Sequence, residues 1–260
     1  MEKTITEYKI KSEEKAGLIY QRFTPLESSG FLEHGFILGY KDGRRFNSGD
    51  IPRLISTLTE IPEEKLKVVI PRQVHQSRVE IFRERFPEKI KNPECDGLMT
   101  DQENLFLVVQ VADCLPVFLF DSRTKLLGLA HIGWRGAVSG IMESFIKEAV
   151  EFSKSVPQEL NLVLGPSIGK CCYKISDSLA VLTDDKYIDV RGNERYLDLR
   201  SLVRDRFLKS GIREENIFVP DGCTCCGDNL YQSYRRDGER AGRMVAFIGN
   251  RGKEKITFGV

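Results

Sequence analysis

Leu105–Gly136 reads LFLVVQVADCLPVFLFDSRTKLLGLAHIGWRG. Two apolar runs, Leu105–Val111 and Val117–Phe120, flank Ala112-Asp113-Cys114-Leu115-Pro116, and a third, Leu126–Ala130, ends on His131 after the polar Asp121–Lys125 turn. Short apolar runs rich in β-branched residues and bounded by turn signals read as buried strands. Cys114 and His131, at the breaks, can each ligate a metal or take part in attack on carbon. The chain then turns through Gly133-Trp134-Arg135-Gly136 into a helix. Open α/β sheets present their chemistry where strands give way to loops, so the expectation is such a sheet with the site on its rim.

Working outward, Ile141, Met142, Phe145, Ile146, Ala149 and Val150 fall on one face of a helix that covers the sheet. Leu160–Leu164 and Ile217–Val219 read as strands, and Asp198–Gly211 as a helix ending at its glycine. Arg243–Ile248 and Lys255–Phe258 are the last expected strands. Toward the N-terminus, strands are expected at Leu18–Phe23, His34–Tyr40, Lys67–Ile70 and Arg78–Phe82, with a short helix at Ser48–Leu58. His75 therefore lies between two short strands. This mixture predicts a mixed α/β (α+β) fold, one compact domain over residues 1–260, with mixed β-sheets packed between helices.

Lys and Arg number 39 against 38 Asp and Glu, scattered singly, so no basic face suits a nucleic acid. The first residues are charged and no apolar run approaches the roughly 18 residues of a membrane span. A soluble, cytoplasmic protein is expected, with its seven cysteines as reduced thiols.

Catalytic zinc is held by three protein ligands with a fourth position open, and two imidazoles with one thiolate form an attested set. His75, Cys114 and His131 could supply it, since each sits at a polar break between apolar strands. Taken singly, a cysteine among apolar residues is a small core residue and a histidine at a strand end a hydrogen-bonded structural group. Cys223-Thr224-Cys225-Cys226 contains a Cys-x-x-Cys pair, but a structural zinc needs a second knuckle and the adjacent Cys171-Cys172 is poor geometry for one. The expectation there is thiols packed in a loop against the active rim. Arg135, at a glycine-flanked helix start, and Arg235 are candidates for holding an anion, and Trp134 for stacking on a planar base or plugging the sheet edge.

Six ordered motifs carry a family resemblance: Arg72-Gln73-Val74-His75, Cys95-Asp96-Gly97-Leu98-Met99-Thr100, Ala112–Pro116, Ala130–Gly136, Leu164–Tyr173 and Ser233-Tyr234-Arg235-Arg236-Asp237-Gly238. Together they closely resemble the laccase-domain family, first labelled polyphenol oxidases and later purine nucleoside phosphorylases with adenosine deaminase activity. The resemblance implies zinc on His75, Cys114 and His131, and a purine nucleoside pocket beside it. It further implies phosphorolysis of adenosine, inosine and methylthioadenosine, deamination of adenosine, and a monomer or homodimer. Near the N-terminus the chain departs from the family pattern after His34-Gly35-Phe36, so a substrate-contacting arginine is either missing or replaced by Arg44 or Arg45. Deamination calls for an activated water directed at C6 of adenine, with Cys114 and His131 at the reacting centre and Asp113 as candidate proton donor.

Three other readings stand beside this one. Copper is the second choice of metal, because a three-copper cluster consumes more imidazoles than the chain's three histidines provide. A cysteine hydrolase or amidase would use Cys114 as nucleophile and His131 as base. A non-enzymatic scaffold would close its zinc with a fourth protein ligand such as Cys223, Cys225 or Cys226.

Overall fold

In the computed structural model, which describes residues 6–8, 10–83, 92–227 and 229–252, alternate residues of the Leu105–Val111 strand enter two different cores. Leu105, Leu107, Val109 and Val111 join Phe118, Phe120, Leu127 and Leu129; Phe106 and Val108 pack with Ile51, Leu54, Ile55 and Leu58 of the helix Ile51–Thr59. The split recurs in Leu115–Phe120, whose Leu115, Val117 and Leu119 pack with Phe145 and Phe207 of the helices Ile141–Ser153 and Leu199–Lys209. Successive side chains of a strand point to opposite faces. A strand covered on both faces therefore needs apolar residues along its buried length, and in Leu105–Val111 only Gln110, half-buried beside the cleft, interrupts the run.

The layers are helix, six-stranded sheet, seven-stranded sheet and helices, the mixed α+β arrangement expected. The six-stranded sheet runs Ile10–Lys15, Leu18–Phe23, Leu32–Tyr40, Met244–Asn250, Leu105–Val111, Lys67–Val69. The seven-stranded sheet runs Thr6–Glu7, Ile217–Val219, Asn161–Leu164, Leu115–Phe120, Leu127–Ile132, Gly97–Thr100, Val79–Phe82.

The sheets are mixed as expected: Leu115–Phe120 pairs antiparallel with Leu127–Ile132, and Leu105–Val111 belongs to the other sheet. The connection from Phe120 to Leu127 is a tight turn, with Asp121 N–H bonded to Leu126 O at 3.0 Å, whereas a parallel crossover needs a dozen or more residues. Antiparallel pairing sets His131 opposite Pro116, so the start of one strand and the end of the next share a rim.

The strands expected at Leu18–Phe23 and Ile217–Val219 form with those bounds. The helix expected after Gly136 begins earlier, as Trp134–Val138, before Ile141–Ser153 follows Gly140. A three-stranded sheet of Lys174–Ile175, Glu194–Leu197 and Ile188–Arg191 was not foreseen. Its strands are short and mostly half-buried or exposed, and so lack an apolar run. The strand expected at Lys255–Phe258 lies outside the described residues. Among the described residues no helix is long and apolar enough to cross a membrane.

His34 is buried in the inter-sheet core, stacked on Phe23 with ring centroids 5.9 Å apart, and its Nε2 accepts the Phe23 N–H at 2.9 Å. Burial, and then the charge of Arg22, hold its pKa down to about 3. The folded protein keeps this imidazole neutral while the unfolded chain protonates it below about pH 6.5, so stability is lost as pH falls from there toward 3. Between pH 6.5 and 5 this group costs about 2 kcal/mol. Urea unfolding of wild type and His34→Gln at the two pH values should show that extra loss in wild type alone.

Candidate metal centre

His75, Cys114 and His131 converge from three segments: the loop between Lys67–Val69 and Val79–Phe82, the turn before Leu115–Phe120, and the end of Leu127–Ile132. One ligand atom from each lies within 4.8 Å of the other two. The imidazole rings of His75 and His131 meet edge to face, 4.7 Å between centroids. Among the described residues no fourth His, Cys, Asp or Glu joins them. A three-ligand, His2Cys set with an unclaimed position is the pattern of a catalytic rather than a structural site. Gly133 leaves the room, since a Cβ there would lie 3.0 Å from Cys114 Sγ and 3.4 Å from His75 Cδ2.

Asp96, fully buried at the start of Gly97–Thr100, organises two of the three ligands. Its Oδ1 lies 2.8 Å from His131 Nδ1, and its Oδ2 accepts the N–H groups of Val74 and Gln76 at 3.1 and 2.9 Å, on either side of His75. A carboxylate only accepts, so His131 carries its proton on Nδ1 and turns Nε2 to the centre. Burial raises the pKa of Asp96, but the hydrogen bonds from His131 and the His75 loop outweigh it and hold the carboxyl below its usual range. In the sequence Asp96 stands out only as a member of the Cys95–Thr100 motif. Its signal in sequence is a single acidic residue in front of an otherwise apolar strand.

Two site residues have left-handed backbones, His75 at φ +59° and Asp113 at φ +87°. Such conformations cost about 1–2 kcal/mol outside glycine and persist where surrounding bonds enforce them. For His75 the enforcement is the Asp96 carboxylate. Asp113 anchors itself: Oδ1 accepts from Thr224 Oγ1 at 2.7 Å, and Oδ2 from Ser233 Oγ at 3.0 Å and Arg235 N–H at 2.7 Å.

Burial works against ionising Cys114, but His131 above all, and His75 after it, stabilise the thiolate and bring the thiol down to about 6. Burial likewise opposes protonation of His131. The Cys114 charge and the Asp96 hydrogen bond overcome it and raise the imidazole. An ionised sulfur flanked by imidazoles is the donor set a soft or borderline divalent ion takes, and the residues fit a bound metal.

The centre lies in a cleft of about 1060 Å³ whose lining includes Trp134, Arg135, Tyr173, Lys174, Arg235 and Arg243. Arg135 is exposed and stacks on Trp134 at 4.3 Å, while Arg235 Nη1 donates to Lys174 O at 2.8 Å. The unforeseen three-stranded sheet supplies Lys174 and Ile175 to one wall. Arg44 and Arg45 are not in the lining: Arg44 pairs with Asp42 and lies over Tyr40, and Arg45 bonds the carbonyl of Arg240.

The family model described as multi-copper polyphenol oxidoreductase laccase matches residues 48–251. The chain belongs to this laccase family. Among its relatives, a purine nucleoside phosphorylase YlmD of Bacillus subtilis is 37% identical over 161 residues, 59% of this chain and 58% of that protein. The chain thus spans under two thirds of that relative's length. A purine nucleoside phosphorylase of Staphylococcus epidermidis is 33% identical, covering 70% of this chain and 73% of the relative. An adenosine deaminase RL5 from an unknown prokaryotic organism is 27% identical, covering 70% and 74%. The crystal structure of YlmD from Geobacillus stearothermophilus superposes with a TM-score of 0.77 at 25% identity, over 93% of this chain and 99% of that one.

Proposed function

We propose that this laccase-family chain is a zinc-dependent purine nucleoside enzyme, cleaving adenosine, inosine and methylthioadenosine with phosphate and deaminating adenosine. The observation that carries the reading is a three-ligand centre of metal-binding character on the floor of a cleft with a basic lining. Relatives named purine nucleoside phosphorylase and adenosine deaminase supply the substrate class. Ligand pockets span roughly 300–1,000 Å³, so this cleft has room for a nucleoside and a phosphate together.

His75, Cys114 and His131 would hold the zinc, which when bound supplies Lewis acidity and activates water near neutral pH. Zinc is preferred over copper because the third histidine, His34, is buried in a core and engaged with Phe23, leaving two imidazoles for any metal. Arg135 and Arg235 receive the phosphate, and Trp134 offers its ring to the base. Asp113 is the only acidic residue in the described lining, and its carboxylate already accepts three hydrogen bonds. We therefore assign it the positioning of Cys114 and Arg235 rather than proton donation. The reaction is placed in the cytoplasm, where the thiols stay reduced.

Cys114, His131 and Asp96 also have the layout of a nucleophile, base and orienting acid, which favours a cysteine hydrolase as the second reading. The deciding assay follows purified protein and Cys114→Ala by metal content and by adenosine turnover with and without phosphate. The expected result is one zinc fewer in the variant, inosine formed in either buffer by wild type, and adenine formed only with phosphate. Equal metal in both proteins and untouched adenosine would overturn the proposal.

A further inference from the structure

We propose that Cys171, Cys172, Cys223 and Cys226 form a second, closed metal site, a structural zinc held by four thiolates. This assignment does not rest on the purine reading. The four sulfurs lie within 4.8 Å of one another, with Cys171 and Cys226 Sγ 3.4 Å apart. A tetrahedral ion with bonds of about 2.3 Å to sulfur spaces its ligands about 3.8 Å apart, so the cluster has the size of a single ion. Tetrahedral sulfur ligation suits zinc or iron, and a closed four-thiolate set is the pattern of structural zinc.

The adjacent cysteine pair, poor geometry for a second knuckle by sequence, is brought to the cluster by the turn that carries it. Cys172 and Tyr173 N–H both bond Gly169 O at 3.0 Å, and this curl brings Cys171 and Cys172 onto the same centre. Opposite them, Cys223-Thr224-Cys225-Cys226-Gly227 closes as a knuckle, with Gly227 N–H bonded to Cys223 O at 2.8 Å. A Cβ on residue 227 would lie 2.3 Å from that oxygen, so the closure requires glycine. Gly169 N–H donates to Cys223 Sγ at 3.2 Å, a peptide donor on a ligand sulfur that joins the two loops.

A divalent ion with four thiolates carries a net charge of −2, and arginines surround the loops that would bear it. Arg191 donates to the carbonyls of Lys170 and Cys171, Arg200 to those of Pro220 and Gly222, and Arg236 to those of Thr224 and Cys225. Cys225 stays outside the cluster. Filling the site displaces the thiol protons to solvent and fastens residues 169–173 to residues 223–227. Thr224, within the knuckle, bonds Asp113 next to Cys114, so the second ion would steady the wall of the cleft without touching substrate.

The test is zinc content of the full chain prepared under reducing conditions. Wild type should hold two zinc ions per chain, Cys114→Ala one, and the Cys223→Ser/Cys226→Ser double variant one. Should the double variant fail to fold, X-ray absorption at the zinc edge of Cys114→Ala answers the question, with four sulfur ligands at about 2.3 Å expected. A single zinc in wild type that vanishes entirely in Cys114→Ala would overturn the site. So would nitrogen ligands on the zinc left in that variant.

Discussion

His75→Ala should strip the proposed metal centre and lower kcat/KM for adenosine by about a thousandfold or more, as Cys114→Ala should. His75 is exposed, and its contacts with Asp96 run through its neighbours' backbone N–H groups, so the side chain can be removed while the loop keeps its bonds. Stability of the metal-free protein should change by no more than about 1 kcal/mol. The residue also separates the two chemistries. A Cys114–His131–Asp96 hydrolase has no role for His75 and would retain most of its activity in the variant, whereas a metal centre loses one of its three ligands. Zinc analysis and steady-state kinetics on the same preparation give the answer; an active His75→Ala with no zinc at the His75–Cys114–His131 centre would move the assignment to the hydrolase.

The second large effect comes from a residue that touches no metal in any reading. Asp96→Asn should weaken zinc binding about 10- to 100-fold, the usual consequence of losing a carboxylate behind a ligating histidine. The amide can still accept the Val74 and Gln76 N–H groups through its oxygen. Its NH2 then faces His131 Nδ1 and asks that nitrogen to accept, which moves the ring proton to Nε2, the atom that should ligate. Competition against a zinc indicator measures the affinity, and a melt of the metal-free protein should show only a modest drop. Asp96→Ala is the harsher contrast. It leaves three donors around a buried position without an acceptor, at about 1–3 kcal/mol each, a large share of the roughly 5–15 kcal/mol that holds a domain folded. Unchanged zinc affinity in Asp96→Asn would mean that Asp96 does not set the ligand tautomer.

What the sequence made legible follows from burial. Leu105–Val111, Leu115–Phe120 and Leu127–Ile132 are covered on both faces, so their apolar runs marked the strands, the break that holds Cys114 and the strand end that holds His131. The antiparallel pairing was implicit in the short Asp121–Lys125 connection, though the motif drew attention to strand ends rather than to loop length. Asp96 was harder, because its importance lies in contacts with residues some 20 and 35 positions away. The same holds for Cys171 and Cys172, which meet Cys223 and Cys226 only through a turn whose hydrogen bonds no local pattern announces. The Lys174–Ile175 wall of the cleft alternates charged and apolar residues over too few positions to register as a strand.

The left-handed backbone at His75, pinned on both sides by a carboxylate that also grips His131, bears on the thermodynamics of metal uptake. Two imidazoles are aligned during folding, so their ordering entropy is met before any ion arrives. Metal uptake then requires little rearrangement of the chain. Loading should release protons and bury little new apolar surface, leaving a calorimetric signature with a strong dependence on buffer ionisation and only a small change in heat capacity.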